Sequence, residues 1–472
     1  MQRDEIKKKE LECLAKKYKK HPQFFERKTF IDNSETLEKF GIFIENKENL
    51  PSGYLKLWPQ DFIVEEISSK GKVQLIGADS FFDKKKKVKE GDPTIYATLV
   101  KCGLSTLEAV GEIASFLKTE CKNIQFAGIK DKVAITSQKI SLRKVDIKDL
   151  QKINSSYFFL KNIYSGKGVV EIGSLEGNEF TILIRTDDAF QKENFLKNIK
   201  KIEEEGFFNF FYLQRFGTPR LINWSWGLLI LKGEYEKAVL SFLSSPGLRE
   251  LVYFKRLRKE IKENWENWQR IEEILAPFPI IFRNEKKVIG HLKNYPKDFA
   301  GALNQIPEQI KFWIFAYASL LFNKKLSSYL EKKIDPPQKM PLILSKDKED
   351  WLFYKELLRE GEIFSIPYKS LERFPHIQWK RREIKSKKNV KIHQVKVIPE
   401  GVILNFSLPK AVYATTFLVH LFQLVSGPPP QNISSYAVDT KATLGKESLE
   451  IVLNKFKDII YSKTENIFEK FE

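Results

Sequence analysis

Asp131 stands in the run GIKDKVAITSQ, between Lys130 and Lys132. Flanking positive charge favours the ionised carboxylate, the form that a nucleophile or a base requires. The same triplet also suits a surface turn of a basic protein. In GNEFTILIR, Asn178 and Phe180 lie two apart at the mouth of a strand-like run and so project from one face. A hydrogen-bonding amide beside an aromatic plate can hold and stack a base turned out of a nucleic acid, and a core Phe with a turn Asn reads equally well. Lys56 in GYLKLWPQDF alternates with Leu55 and Leu57, opposite their apolar face, as an exposed strand lysine would. The cluster NFFYLQRFGTPR offers Phe210, Phe211, Tyr212, Gln214, Arg215 and Phe216, a composition that fits RNA binding and core packing alike.

The elements that must position these residues follow from periodicity. GYLKLW, DFIVEEI and VQLIG read as strands. STLEAVGEIASFLKTECK opens on a Ser/Thr pair with an acid soon after, and places Leu107, Val110, Ile113, Ala114 and Leu117 at helical spacing. It leads into NIQFAGIKDK, an apolar run that breaks at Gly128, and then into the alternating TSQKISLR, so the KDK triplet sits in a loop beside a strand. Such loops carry functional groups on rigid supports. The texture turns helical from about Trp224 to Tyr329, and alternation resumes in VKIHQVKVIPEGVILNFSLP. AVYATTFLVHLFQLV reads as a buried helix, SGPPPQ as a turn, SLEIVLNKFKDIIYSKTENIFEKF as a charged helix, and the first twenty residues as an exposed basic helix. Lys84 to Lys87 form the longest low-complexity tract.

A chain of 472 residues implies two or more domains, and 42% hydrophobic residues suffice for sizeable cores. The net charge of +19 predicts attraction to a polyanion such as nucleic acid or an acidic membrane surface, although a solvated lysine-rich surface gives the same balance. Cys13, Cys102 and Cys121 have no paired spacing, which fits a reducing cytoplasm, and five scattered histidines offer no local metal motif. The charged start and the lack of any 18-residue apolar run predict neither secretion nor a membrane span.

In order along the chain, GYLKLWPQDFIVEE, FAGIKDKVAITSQ, LEGNEFTILIR, NFFYLQRFG, FWIFAYASLLFNKKLS and NFSLPKAVYATTFL resemble the motifs of the TruD family of tRNA pseudouridine synthases, over roughly Gly53 to Val425. The GxKDKxAxTxQ element is the most specific of them. The resemblance implies an α+β fold: a catalytic domain on a mixed, largely antiparallel sheet, interrupted by a helix-rich α/β insertion domain. On that basis residues 47–218 and 378–426 are expected to form the catalytic domain and 219–377 the insertion. Residues 1–46 would be a basic helical extension, and 427–472 a linker and C-terminal helix.

By the same resemblance Asp131 is the catalytic aspartate, Lys56 the basic residue beside it, Phe180 the aromatic that stacks on the target base and Asn178 its neighbour. Lys130, Lys132, Gln138, Gln214 and Arg215 join the expected substrate-binding set. The implied reaction turns a uridine of tRNA, chiefly at position 13, into pseudouridine, without cofactor or metal, in a cytoplasmic monomer that touches no membrane; other structured RNAs are a further class of partner. A non-catalytic RNA-binding protein or RNA chaperone keeping the same cleft is the competing reading. The chain departs from the family at Tyr212, where glycine is usual, at Ala411 and Val412 before YAT, where a glycine is usual, at Val419 and His420, and in VVEIG before GNEF. Backbone geometry and RNA contacts are expected to differ there.

Overall fold

A computed structural model describes residues 2–77, 92–150, 152–187, 190–344, 347–377 and 380–461. The Lys84–Lys87 tract and the last part of the expected C-terminal helix lie outside them. The described residues divide into two compact units, one within Asn46–Phe207 and Lys388–Lys463, the other within Met1–Glu45 and Phe208–Lys387.

The first unit is built on a mixed sheet. Its strands run in the order Gln423–Ser426, Ser52–Tyr54, Leu175–Arg185, Phe62–Ser68, Ile135–Arg143, Thr94–Cys102, Phe158–Gly166. The hairpin Lys391–Ile398 and Gly401–Pro409 pairs along Leu175–Arg185, and Ile124–Phe126 pairs with Ile135–Arg143. Two pairings are parallel, Gln423–Ser426 with Ser52–Tyr54 and Phe62–Ser68 with Ile135–Arg143; the others are antiparallel.

Because side chains alternate along a strand, the register assigns faces. Val64 pairs with Phe180 and Thr136, Glu66 with Asn178, and Thr136 and Gln138 with Lys101 and Leu99. Phe62, Glu66, Lys101, Gln138, Asn178 and Phe180 therefore share one face. Part of that face is roofed by the helix Thr106–Phe116. Ser105 caps it and Glu108 completes a capping box. Its Ala109, Val110, Ile113 and Ala114 pack with Ile95, Ala97, Leu99, Ile140 and Leu142; each fully buried Val or Ile contributes about 1.5–3 kcal/mol. Leu107 falls off this stripe and is exposed.

The opposite face is covered by residues 441–460. Leu449, Val452, Phe456 and Ile460 pack with Ile63, Val100, Cys102 and Ile135, and the buried Lys441 pairs with Glu65 Oε1 at 2.6 Å.

The second unit is helical from Asn223 to Glu331, with the 25-residue helix Pro307–Glu331 as its longest element. Asn223–Lys232 packs close against it: a Cβ on Gly227 would lie 2.2 Å from the Trp313 carbonyl oxygen. A short antiparallel pair, Lys339–Leu342 with Arg382–Lys385, adds the β component.

Several sequence expectations need correction. The strand in GYLKLW ends at Tyr54, because Lys56 turns into the left-handed region at φ +60°. Of VQLIG only Val73 makes a bridge, to Ile67. The expected long helix in AVYATTFLVHLFQLV is the short helix Ala414–Leu418 followed by a strand, since a continuously buried apolar run carries no period to tell the two apart. The described part of the C-terminal helix is two short helices, Glu450–Lys455 and Lys457–Ile460. The helix Gln2–Lys20 forms as expected but is not exposed all round: Leu14 is buried, and Glu10 accepts from the Ile280 and Ile281 amides.

Candidate active site

Ile124–Phe126 and Ile135–Arg143 flank the loop that carries Asp131. Polar groups hold this loop onto the sheet. The Lys130 amide donates to Thr106 Oγ1 at 2.9 Å, the Thr106 hydroxyl donates to Gln138 Oε1 at 2.9 Å, and Gln138 Nε2 donates to the Gly128 carbonyl at 2.9 Å. The Lys130 ammonium reaches Glu66 Oε2 at 2.7 Å, with the two side chains only 4% and 1% exposed. Glu66 Oε1 also accepts from the Lys139 amide. From the strand beyond, the fully buried Lys101 donates to the carbonyls of Asp131 and Leu104, each at 2.7 Å. Burial pushes the Lys101 ammonium down to about 8, against the opposing pull of the Asp131 and Glu108 charges.

With its backbone held from below, Asp131 keeps its side chain half exposed. The Lys56 ammonium lies 3.4 Å from Asp131 Oδ1 and 4.1 Å from the centroid of the Phe62 ring. Phe62 meets Phe180 edge-on at 6.2 Å, and Phe180 stacks on Phe406 at 5.2 Å with an interplanar angle of 18°. Phe180 is buried, and one of its ring faces is taken by Phe406. Asn178, two residues before it, has its Oδ1 buried with no hydrogen-bond partner among the described residues. Lys132 reaches Glu108 at 3.7 Å, both side chains partly exposed.

Asp131, Lys56, Lys130, Lys132, Gln138, Asn178 and Phe180 thus belong to one unit, on or above one sheet face. Lys130 and Gln138 point inward as supports of the loop. Gln214 and Arg215 belong to the other unit, on the 3₁₀ turn Leu213–Phe216, where the Arg215 guanidinium lies 5.1 Å from the Phe211 ring centroid. Glu66, Lys101 and Thr106 were not singled out from the sequence. The available signal was the paired acids in IVEE, within a run otherwise apolar enough to be buried.

The departures from the family pattern also resolve locally. The buried Tyr212 hydroxyl bonds Asp32, which also holds Arg249; burial first, and then the Asp32 charge, raise the tyrosine well above its ordinary value. Ala411 adopts φ +62°, a conformation that favours glycine. His420 packs against Phe207 at 5.8 Å. Among the described residues, no group of three or more His, Cys, Asp or Glu could hold a metal ion, and no helix is long and apolar enough to cross a membrane.

A protein of Methanosarcina acetivorans named "Probable tRNA pseudouridine synthase D" is 30% identical to this chain over 298 residues, 62% of the chain and 63% of the relative. The match to a Methanosarcina barkeri protein of the same name spans 60% of that relative, so the chain covers about three fifths of the length of these two curated relatives. "Probable tRNA pseudouridine synthase D 1" of Methanocaldococcus jannaschii is 29% identical over 382 residues, 78% of this chain and 94% of that one. A crystal structure of a TruD protein from Methanosarcina mazei superposes with a TM-score of 0.63 at 23% identity, over 82% of this chain and 97% of that one, which shows the shared α+β fold. The family model "tRNA pseudouridine synthase D (TruD)" matches residues 43–350, well over half of the sequence, and the chain belongs to that family.

Proposed function

We propose that this protein isomerises a uridine of tRNA, at position 13, to pseudouridine, with Asp131 as the reacting carboxylate. The observation that carries the reading is the accessible Asp131 carboxylate, beside the Lys56 ammonium at 3.4 Å and held by a loop whose backbone is fixed from the sheet. The reaction breaks the bond from C1′ to N1 and joins C1′ to C5, through an electron-poor sugar. A carboxylate serves this either by adding to C1′ and being displaced by C5, or by taking a proton from C2′ and returning it. In both routes the C5 proton is finally lost to water.

Lys56 pairs with and orients the carboxylate. Its left-handed backbone, which costs on the order of 1 kcal/mol at a residue with a Cβ, is the kind of strain that collects at working sites. Asn178 offers an acceptor with no partner among the described residues, suited to an N–H of the base. Phe180 and Phe62 supply an apolar wall that shields the freed base from water. Lys130 and Gln138 act as positioning residues, whereas Lys132, Gln214 and Arg215 are placed to meet RNA. We read the unit Asn46–Phe207 with Lys388–Lys463 as catalytic and Phe208–Lys387 as the insertion. The protein works as a cofactor-free cytoplasmic monomer, and its net charge of +19 draws in the polyanionic substrate.

The test is to incubate purified protein with unmodified tRNA transcripts and map pseudouridine by carbodiimide-dependent primer extension. A stop specific to uridine 13 is expected; no stop on any transcript carrying that uridine overturns the proposal.

A further inference from the structure

Lys101 is a lysine with no access to water, next to the last residue of the strand Thr94–Cys102, where its ammonium reaches the loop of Asp131. A buried ammonium costs several kcal/mol unless it is well paired, and an apolar residue would suit the flanking core of Leu99 and Leu142. Its hydrogen bonds identify what it does instead. It donates to main-chain carbonyls of two separate segments: Asp131 in the loop and Leu104, just ahead of the cap of the Thr106–Phe116 helix. The helix start and the loop are thereby tied through one cation, and Thr106 ties them a second time through the Lys130 amide. The charged and titratable groups around the ammonium are Asp131, Glu108, Cys102 and Lys130. The Lys130 charge is already engaged by Glu66.

We propose that Lys101 is a positioning residue for the reaction: its buried ammonium grips the Asp131 main chain and sets where the carboxylate stands relative to C1′ of the bound nucleotide. The proposal rests on the reading of Asp131 as the reacting carboxylate. Lys101 itself touches no substrate. Its grip is on the main-chain carbonyl, so the half-exposed Asp131 side chain, which Lys56 approaches at Oδ1, stays free to face the ribose.

The experiment compares wild type with Lys101→Met, and with Lys148→Met as an exposed control, by steady-state kinetics on tRNA and by hydrogen exchange resolved to peptides. A misplaced catalytic group costs up to about 100-fold. Lys101→Met is therefore expected to lower kcat about 10- to 100-fold with KM within about threefold of wild type. Amides of residues 128–134 should exchange at least about tenfold faster, while the strand peptides 94–100 and 135–143 keep their protection. A purely structural lysine gives another pattern, in which exchange rises across all these peptides together and kcat falls only in proportion to unfolded protein; that result overturns the proposal. Unchanged loop exchange in a folded variant overturns it as well. If the wild type makes no pseudouridine, the functional reading fails by itself, and the exchange measurement still decides whether Lys101 fixes the loop.

Discussion

Replacing Glu66 by Gln removes the charge that answers Lys130 in a place water does not reach. The two groups are 2.7 Å apart and are 1% and 4% exposed. Breaking such a pair by deleting one partner costs about 3–5 kcal/mol, because the remaining ion is stranded. Gln can still accept the Lys139 amide that Glu66 Oε1 accepts at 3.1 Å, so the sheet register survives and the loss is confined to the ion pair. The loop has an escape. Ile129 and Val133, on either side of KDK, are already exposed, so Lys130 can swing into water once it is released, at the expense of the hydrogen bonds of Thr106 and Lys101.

The cost should therefore appear chiefly as local opening. Native-state hydrogen exchange is the assay, because it reads the opening of one loop residue by residue where global unfolding reads the whole unit. At 1.4 kcal/mol per tenfold, loop amides should exchange at least about a hundredfold faster in Glu66→Gln, and kcat should fall with them. Lys130→Met in the same molecule should restore more than half of the protection, a coupling of at least about 2 kcal/mol. Unchanged exchange in Glu66→Gln, or a double variant whose loss is the plain sum of the single losses, refutes the claim that this pair holds the loop.

Lys101 gives a pH signature with two opposite signs. Its folded value of about 8 lies below its ordinary 10.5, so the clamping ammonium is present below about pH 8, and kcat should fall as pH rises through that value, with no such limb in Lys101→Met. The same depressed value means that burial disfavours the charged form, so this group's contribution to stability should improve between about pH 8 and 10.5, as urea titrations of wild type and Lys101→Met at both ends of the window would show. At Ala411, φ +62° makes glycine the easier residue; Ala411→Gly should stabilise by up to about 1 kcal/mol, the left-handed penalty less the added freedom of the unfolded chain, and a lower melting temperature would contradict it. Phe456→Ala should cost about 3–5 kcal/mol, since this fully buried ring stacks on Phe159 at 5.8 Å; a loss below 1 kcal/mol by urea unfolding would mean that the chain's end is not part of the core.

The α+β class and family were legible in the sequence because short motifs record local demands. Short runs rich in β-branched and aromatic residues, DFIVEEI and EFTILIR, mark strands that the fold buries on both faces, and Ser105 with Glu108 marks a helix start. KDK between a strand and an alternating run marked the loop. What could not be read was long-range. Glu66 and Lys101 look like ordinary charged interruptions of strands, and only the parallel register of Phe62–Ser68 on Ile135–Arg143, with Thr94–Cys102 one strand beyond, puts them beneath residues 128–132. Alternation makes Lys56 an exposed strand lysine, because it does not reveal the positive φ at which the strand has already ended. Tyr212 looked like a disturbance of a glycine site, since its partners Asp32 and Arg249 are distant in sequence.

The central claim is that the Asp131 carboxylate performs the isomerisation. Joining C1′ to C5 expels the C5 hydrogen, so release of tritium from tRNA labelled at C5 of uridine counts turnovers directly. Wild type should release one equivalent from the target uridine. Asp131→Asn, which keeps the side chain's shape and leaves the Lys101 bond to the main-chain carbonyl available, should bind the tRNA with similar affinity and release none above background. Release by Asp131→Asn at a rate within tenfold of wild type would contradict the account.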